Sequence, residues 1–313
     1  MSAWNPKDSH HESAHRPPRS IDQYLAALRE ALAGEDPALI QDALYDAEEY
    51  LRAELPAHPD RSESDTLELI ASTYGAPDEV AAAYRTTEQK LQTALAPPLR
   101  QPARSSLGRF FAVYTDTRAW TALFYMLLSL VTGIFYFTTV VTGLSLTAGL
   151  AILIIGIPFF LLFVGFTRVL SLAEGRLVEG LLGQRMPRRP LYPARGVPIL
   201  TRIRDMLADR RTWTTMFYFL LMLPLGVLYF AVAVTGYVTS LGLVFGGVFG
   251  LLSGTGVVHL DELIWDVPAA PAMLLAIAVG VVLLTVMMHL TRGIGRMHGT
   301  LAKNLLVARA GSD

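Results

Sequence analysis

The chain contains no cysteine. Disulfides, thiolate metal sites and thiol nucleophiles are therefore excluded. Charge is missing over long stretches as well. Between Ala119 and Thr167, a run of 49 residues, there is no Asp, Glu, Lys or Arg. From Thr212 to Thr291 there is no Lys or Arg, and the only acids are Asp261, Glu262 and Asp266. A helix needs about 20 apolar residues to cross the hydrocarbon core of a bilayer. The first run fits two spans and a tight turn, and a core helix of a soluble protein does not go so far without charge. The N-terminus shows no apolar run behind a basic start, so no signal peptide is expected. Nucleophile elbow, phosphate-binding loop and metalloprotease helix signatures are all absent. No catalytic residue, cofactor or metal is expected, and the chain does not read as an enzyme.

What is present is unevenly shared. The 313 residues are 52% hydrophobic, yet residues 1–100 carry 18 acids against 9 bases, and residues 101–313 carry 9 acids against 17 bases. Two modules in different surroundings are implied. The basic, apolar part repeats itself. "DTRAWTALFY" at 116–125 returns as "DRRTWTTMFY" at 209–218, and 15 of the 28 positions from Asp116 to Gly143 are identical to those from Asp209 to Gly236. Residues 167–185 and 291–309 share the pattern T-R-x6-G-x-L-x3-L-L-x2-R. Each unit reads as a helical hairpin followed by a basic amphipathic segment. Self-similarity at a fixed offset is a statement about architecture. The expected fold is all-α: a small N-terminal helical bundle, then a four-helix transmembrane unit of two hairpins. Two spans per unit bring both hairpins in from the same side, as parallel repeats about an axis near the membrane normal.

The chain divides as follows. Residues 1–19 read as a disordered tail, with His10, His11 and His15 in no fixed geometry. Residues 20–95 form an acidic helical domain. "SIDQ" at 20–23 is a capping box, and Leu25, Leu28 and Leu32 make an apolar stripe. Asp36 and Pro37 open a second helix, which carries Ile40, Leu44, Ala47 and Leu51. A third runs from about Ser64 to Tyr74, with Gly75 as its stop. A fourth opens at Pro77 and reaches about Leu95. Residues 96–115 are a Pro/Arg linker, 116–190 the first hairpin with its basic segment, 191–208 a cytoplasmic linker, and 209–311 the second hairpin. The last contains an insertion, 237–268, read on the outer face. Its glycines make 237–256 a poor lone helix, so an interfacial or re-entrant element is expected rather than a fifth span.

"IDQYLAALREAL", "IQDALYDAEEYL" and above all "IASTYGAPDEVAAAY" resemble the HAAS-type alpha-helical signalling domain of bacterial membrane proteins. That resemblance implies signalling contacts, often with PadR-like repressors, and no catalytic residue. "RAWTALFYMLLSLVTGIFYF", "RRTWTTMFYFLLMLPLGVLYF" and "LLGQRMPRRPLYP" resemble the sensor domain often joined to bacterial histidine kinases. The chain ends at Asp313 without room for a kinase, so a kinase is not expected of it.

Lysine and arginine set the sidedness. Ten arginines lie from Arg168 to Arg211, and none joins the paired spans. By the positive-inside rule both termini and the central linker are cytoplasmic, in the inner membrane of a bacterium. Three groups of residues are candidates for function. His259, Asp261, Glu262 and Asp266 on the outer face could bind a cation or sense pH, although a solvated loop explains them more simply. Asp46, Glu48 and Glu49 on the second helix are the expected acidic contact for a partner. Arg118, Trp120, Arg211 and Trp213 recur at equal spacing and read as membrane-interface anchors. Pro158 and Pro224 fall inside spans as kink candidates, and His289 is an ionisable group near the end of the last one. The partners expected are membrane lipid, a cytoplasmic signalling protein (a PadR-like regulator or a two-component protein) and a second copy of the chain, with no direct nucleic acid. The function expected is a signalling or sensor protein. The alternative is a small transporter or channel, against which stands the lack of Asp, Glu, Lys or Arg in the spans as read.

Overall fold

The computed structural model describes residues 18–57, 62–95, 105–153, 155–187, 204, 207–254 and 270–307. The chain is all-α and splits into two compact units. The first holds α1 (Ile21–Ala31), α2 (Pro37–Glu54) with a 3-10 turn at Leu55–Ala57, α3 (Glu63–Thr73) and α4 (Pro77–Leu95). Its starts are those the sequence signals. Ser20 Oγ accepts from the Gln23 amide at 3.2 Å, Asp36 Oδ1 from Ala38 at 2.9 Å, and Ser62 Oγ from Asp65 at 3.2 Å. The Gln23 amide oxygen reaches back one residue further than a capping box, to Arg19 N. Leu28, Leu32, Ala47, Leu51 and Leu67 are buried in one core. Each such leucine contributes roughly 1.5–3 kcal/mol by leaving water. The α3–α4 corner turns at Gly75, whose φ of 111° suits glycine. The buried Tyr24 phenol donates to its carbonyl at 2.8 Å, fastening α1 to that corner.

The second unit begins earlier than the linker reading allowed. A short helix, α5 (Ser106–Phe111), and a 3-10 turn at Ala112–Thr115 precede the first long helix. Then come α6 (Thr117–Leu150), α7 (Gly156–Leu177, extended by one π turn at Val178–Leu182), α8 (Arg210–Gly254) and α9 (Ala270–Leu306). All four are long and apolar enough to cross a membrane. The basic amphipathic segments are not separate elements but the last turns of α7 and α9. Residues 237–254, expected to be interfacial or re-entrant, instead continue α8 without a break. The glycines there serve packing: a side chain at Gly247 would strike Ile277, and one at Gly250 would strike Met273. Pro158 sits in the first turn of α7, where proline is tolerated, while Pro224 lies within α8.

The repeat governs how these helices meet. Gly133 of α6 lies against the Met222 carbonyl of α8, and the equivalent Gly226 lies against the Ser129 carbonyl of α6. Small residues at such a crossing let two backbones approach, which is how helices associate in lipid. Gly143 packs on Phe163 within the first hairpin, and Gly236 on Met287 within the second, again at matched positions. Tyr136 stacks on Phe219 at 4.6 Å, and Tyr114 near the start of α6 bonds to Thr285 of α9. Along α6 the contacts climb from Ser129 to Gly133 to Tyr136 while along α8 they descend from Gly226 to Met222 to Phe219, so α6 and α8 run antiparallel where they pack. An even number of spans bears on the side from which each hairpin enters. Two hairpins that both enter from one side send α6 and α8 across in the same direction, and the local crossing at these glycines runs against that.

A buried tyrosine, glutamate and histidine cluster as candidate functional site

Each hairpin starts with the same small machine. Asp116 Oδ1 accepts from the Arg118 amide at 3.1 Å, and Asp209 Oδ1 from the Arg211 amide at 2.9 Å. Trp120 Nε1 donates to the Tyr114 carbonyl at 2.9 Å, and Trp213 Nε1 to the Leu207 carbonyl at 2.8 Å. Both indoles are about half exposed (51% and 49%), as an interfacial anchor requires. The two capping aspartates are also exchanged between hairpins. Arg292 of α9 pairs with Asp116 at 3.1 Å, and Arg168 of α7 pairs with Asp209 at 3.3 Å. Arg168 and Arg292 are equivalent positions of the repeat, so one bond is the image of the other.

Deeper in, the same symmetry builds a polar cluster from all four long helices. α6 gives Tyr125 and Tyr136, and α8 gives their equivalents, Tyr218 and Tyr229. α7 gives Glu174, and α9 gives His298 at the matched position. Glu174, Tyr218 and His298 are fully buried, and the other three are nearly so. Glu174 Oε1 accepts from Tyr125 at 2.6 Å and from Tyr218 at 2.9 Å, and Oε2 accepts from Tyr136 at 3.0 Å. His298 Nε2 lies 2.6 Å from the Tyr125 phenol and 3.0 Å from that of Tyr218. Its Nδ1 lies 3.2 Å from the Tyr229 phenol, whose ring meets the imidazole edge-on. Two glycines make room. A side chain at Gly295 would strike Ala122, and one at Gly299 would strike Gln184. A carboxylate and an imidazole held by four phenols can bind, share or pass a proton. A buried ionisable group costs free energy unless bonded, and here every one is.

The sequence reading passed over Glu174 and His298, because it ended the spans at Thr167 and Thr291. The helices continue, so the premise that the spans hold no acid or base is corrected: α7 carries Arg168 and Glu174, and α9 carries Arg292 and His298. A signal was available. In the shared pattern T-R-x6-G, the residue before the glycine is Glu in one copy and His in the other, and both tyrosine pairs recur.

The sequence-derived candidates are not brought together. His259, Asp261, Glu262 and Asp266 lie outside the described residues. Asp46 Oδ2 accepts from Tyr84 at 2.9 Å, Glu48 pairs with Arg52 at 2.9 Å, and Glu49 is exposed. Burial, and then the bond to Asp46, raise the Tyr84 phenol well above its usual range. His289 bonds to the Phe110 carbonyl at 3.0 Å and stacks on the Phe110 ring, a structural role. Among the described residues no group of His, Asp and Glu could hold a metal ion.

Residues 125–306 match the family model named Sensor, described as "Putative sensor". The chain belongs to the Sensor family. The matched segment opens at Tyr125 and closes just past His298, so all six cluster residues fall within it. No curated protein and no solved structure matches the chain. It is thus a multi-pass membrane protein of the Sensor family with four candidate spans and no kinase fold among its described residues.

Proposed function

We propose that the chain is a non-enzymatic membrane sensor that relays a membrane or extracytoplasmic stimulus to a cytoplasmic protein through its N-terminal helical unit. The observation that carries this is the cluster. Six residues from four helices converge on one buried point, so a change at any helix is felt by the other three. Membership of the Sensor family supports the same reading. The HAAS resemblance of residues 20–95 makes that unit the output module, with α2 as the contact face. Asp46 is turned toward Tyr84 and Glu48 pairs with Arg52, which leaves Glu49 as the exposed acidic group of the three. The charge division supports a cytoplasmic side for the N-terminal unit and for Arg185–Arg211.

A photo-crosslinking residue at Glu49, in the full chain in native membranes, tests the relay. A discrete cytoplasmic adduct is expected, with a yield that changes in the Y125F/Y218F double variant. Absence of any adduct, together with solute flux from proteoliposomes, would instead favour the transporter reading, which the polar residues of α7 and α9 now keep in view.

A further inference from the structure

We propose that the cluster of Glu174, His298 and four tyrosines is a binding site for a single proton, shared between the two hairpins. The inference deepens the sensor reading and rests on it only for what the proton is for.

Hydrogen counting leads there. Glu174 accepts from three phenols, Tyr125, Tyr218 and Tyr136, which suits a carboxylate that only accepts. Each phenol has one hydrogen. Tyr125 and Tyr218 have then none left for His298, yet their oxygens lie 2.6 and 3.0 Å from its Nε2. Nε2 must bring its own hydrogen and donate. That leaves Nδ1, 3.2 Å from Tyr229, as the free choice. Bare, it accepts from the Tyr229 hydroxyl. Protonated, it donates to the Tyr229 oxygen. The two states keep the same heavy-atom positions and differ by one proton.

Charge decides what that proton does. Without it, the cluster holds one net negative charge away from water, which is costly. With it, carboxylate and imidazolium cancel. The groups facing the pair are Tyr125 and Tyr136 from α6, Tyr218 and Tyr229 from α8, and Glu174 and His298 themselves from α7 and α9. None carries a fixed positive charge. Arg176 and Arg296, nearby on α7 and α9, are exposed, and Arg176 lies 3.9 Å from Glu179. The repeat gives the stoichiometry: equivalent positions hold one acid and one base. Two of the bonds, Tyr125 to His298 and Tyr218 to Glu174, join one hairpin to the other. An imidazolium makes such bonds charge-assisted and stronger, so proton occupancy tightens the contact between hairpins.

The test uses the full-length protein in lipid nanodiscs with 15N-labelled histidine. The His298 signal is assigned by its loss in H298Q. One titration is expected between the Nε2–H tautomer and the imidazolium, with proton affinity lower by about tenfold or more in E174Q. A His298 that keeps one neutral form from about pH 5 to about pH 9, or that titrates identically in E174Q, overturns the proposal. The exchange variant E174H/H298E covers the case in which E174Q does not fold. It swaps acid and base within the repeat and should retain a buried titrating imidazole, whereas a folded exchange variant without one sinks the idea. A titrating His298 in a chain that crosslinks no partner leaves the proton site in place and removes the relay.

Discussion

Glu174 is the residue on which most depends. Its carboxylate is the acceptor for three buried phenols, and among the described residues no other acceptor is paired with Tyr136. Removing it in E174A strands Tyr136 and leaves Tyr125 and Tyr218 the single Nε2 of His298 between them. Each stranded buried donor costs about 1–3 kcal/mol, so the loss is expected to rival the whole stability of many domains. The conservative Y136F removes one donor and leaves the carboxylate two, so it should cost about 1 kcal/mol. Thermal midpoints of the purified protein in detergent give the ranking, E174A far below Y136F. Similar midpoints for the two would mean that the cluster is wet and not as closed as its burial indicates. The sequence concealed this residue for a physical reason. Arg168, Glu174, Arg176 and Glu179 together look like a solvated helical face. Partners from other helices, Tyr125 and Tyr136 of α6 and Tyr218 of α8, make position 174 an interior one.

Among elements, the helix starts were legible and the helix ends were not. Ser20 and Asp36 cap where the sequence places caps, and Asp116 and Asp209 cap the two repeated starts, because a capping side chain bonds to amides two or three residues away. The ends of α7, α8 and α9 depend on what packs beside them. Glycines 246 and 247 suggested a broken helix on propensity alone, yet Gly247 is where α9 comes close. The α6–α8 crossing gives a direct test of this use of glycine. G226A puts a methyl group into the Ser129 carbonyl, and G133A does the same at Met222. Overpacking of this kind costs about 1–3 kcal/mol. G242A, with open space around it inside α8, should raise stability by about 0.5–1 kcal/mol through helix propensity alone. Midpoints that rose equally for all three, as the better helix propensity of alanine alone would give, would sink the crossing.

At the scale of the molecule, the two units can be separated and each interrogated alone. Residues 18–95 have their own caps and core, so the fragment should fold as a soluble helical domain with a cooperative melt. Its stability should also fall at high pH, and the sign follows from two tyrosines. Burial first, then the nearby Tyr74, Asp78 and Glu79, raise the Tyr24 phenol well above its usual range; burial, then Asp46, do the same for Tyr84. A group with a raised folded-state value favours its neutral form in the fold. Its contribution is complete below the unfolded value of about 10 and is lost as pH rises beyond it. The melting midpoint of the fragment should therefore be level near neutrality and drop above about pH 10. Y84F, which cannot ionise, should drop less steeply, at the cost of the Asp46 bond at every pH. A fragment with mostly coil circular dichroism would refute its independence, and an unchanged slope in Y84F would remove Tyr84 from the account.

The membrane unit poses the larger question, which is the side on which each end lies. Ten arginines between Arg168 and Arg211 argue that this stretch stays in the cytoplasm; Arg168 of α7 bonds to Asp209 at the start of α8, and Arg292 of α9 to Asp116 at the start of α6. Those starts carry the half-exposed Trp120 and Trp213, one at each interface anchor of the repeat. If both hairpins enter from the cytoplasm, a cysteine at Ser106 is reached only from inside, and one at Ser253, near the far end of α8, is reached from outside. The chain has no native cysteine, so single substitutions give an unambiguous signal. In intact cells an impermeant maleimide should label S253C and spare S106C, and disruption of the membrane should expose both. The antiparallel packing of α6 and α8 sharpens the stakes. Labelling of S106C and S253C from the same side would mean that the hairpins enter from opposite faces, with the arginine rule overridden by the packing seen at Gly133 and Gly226.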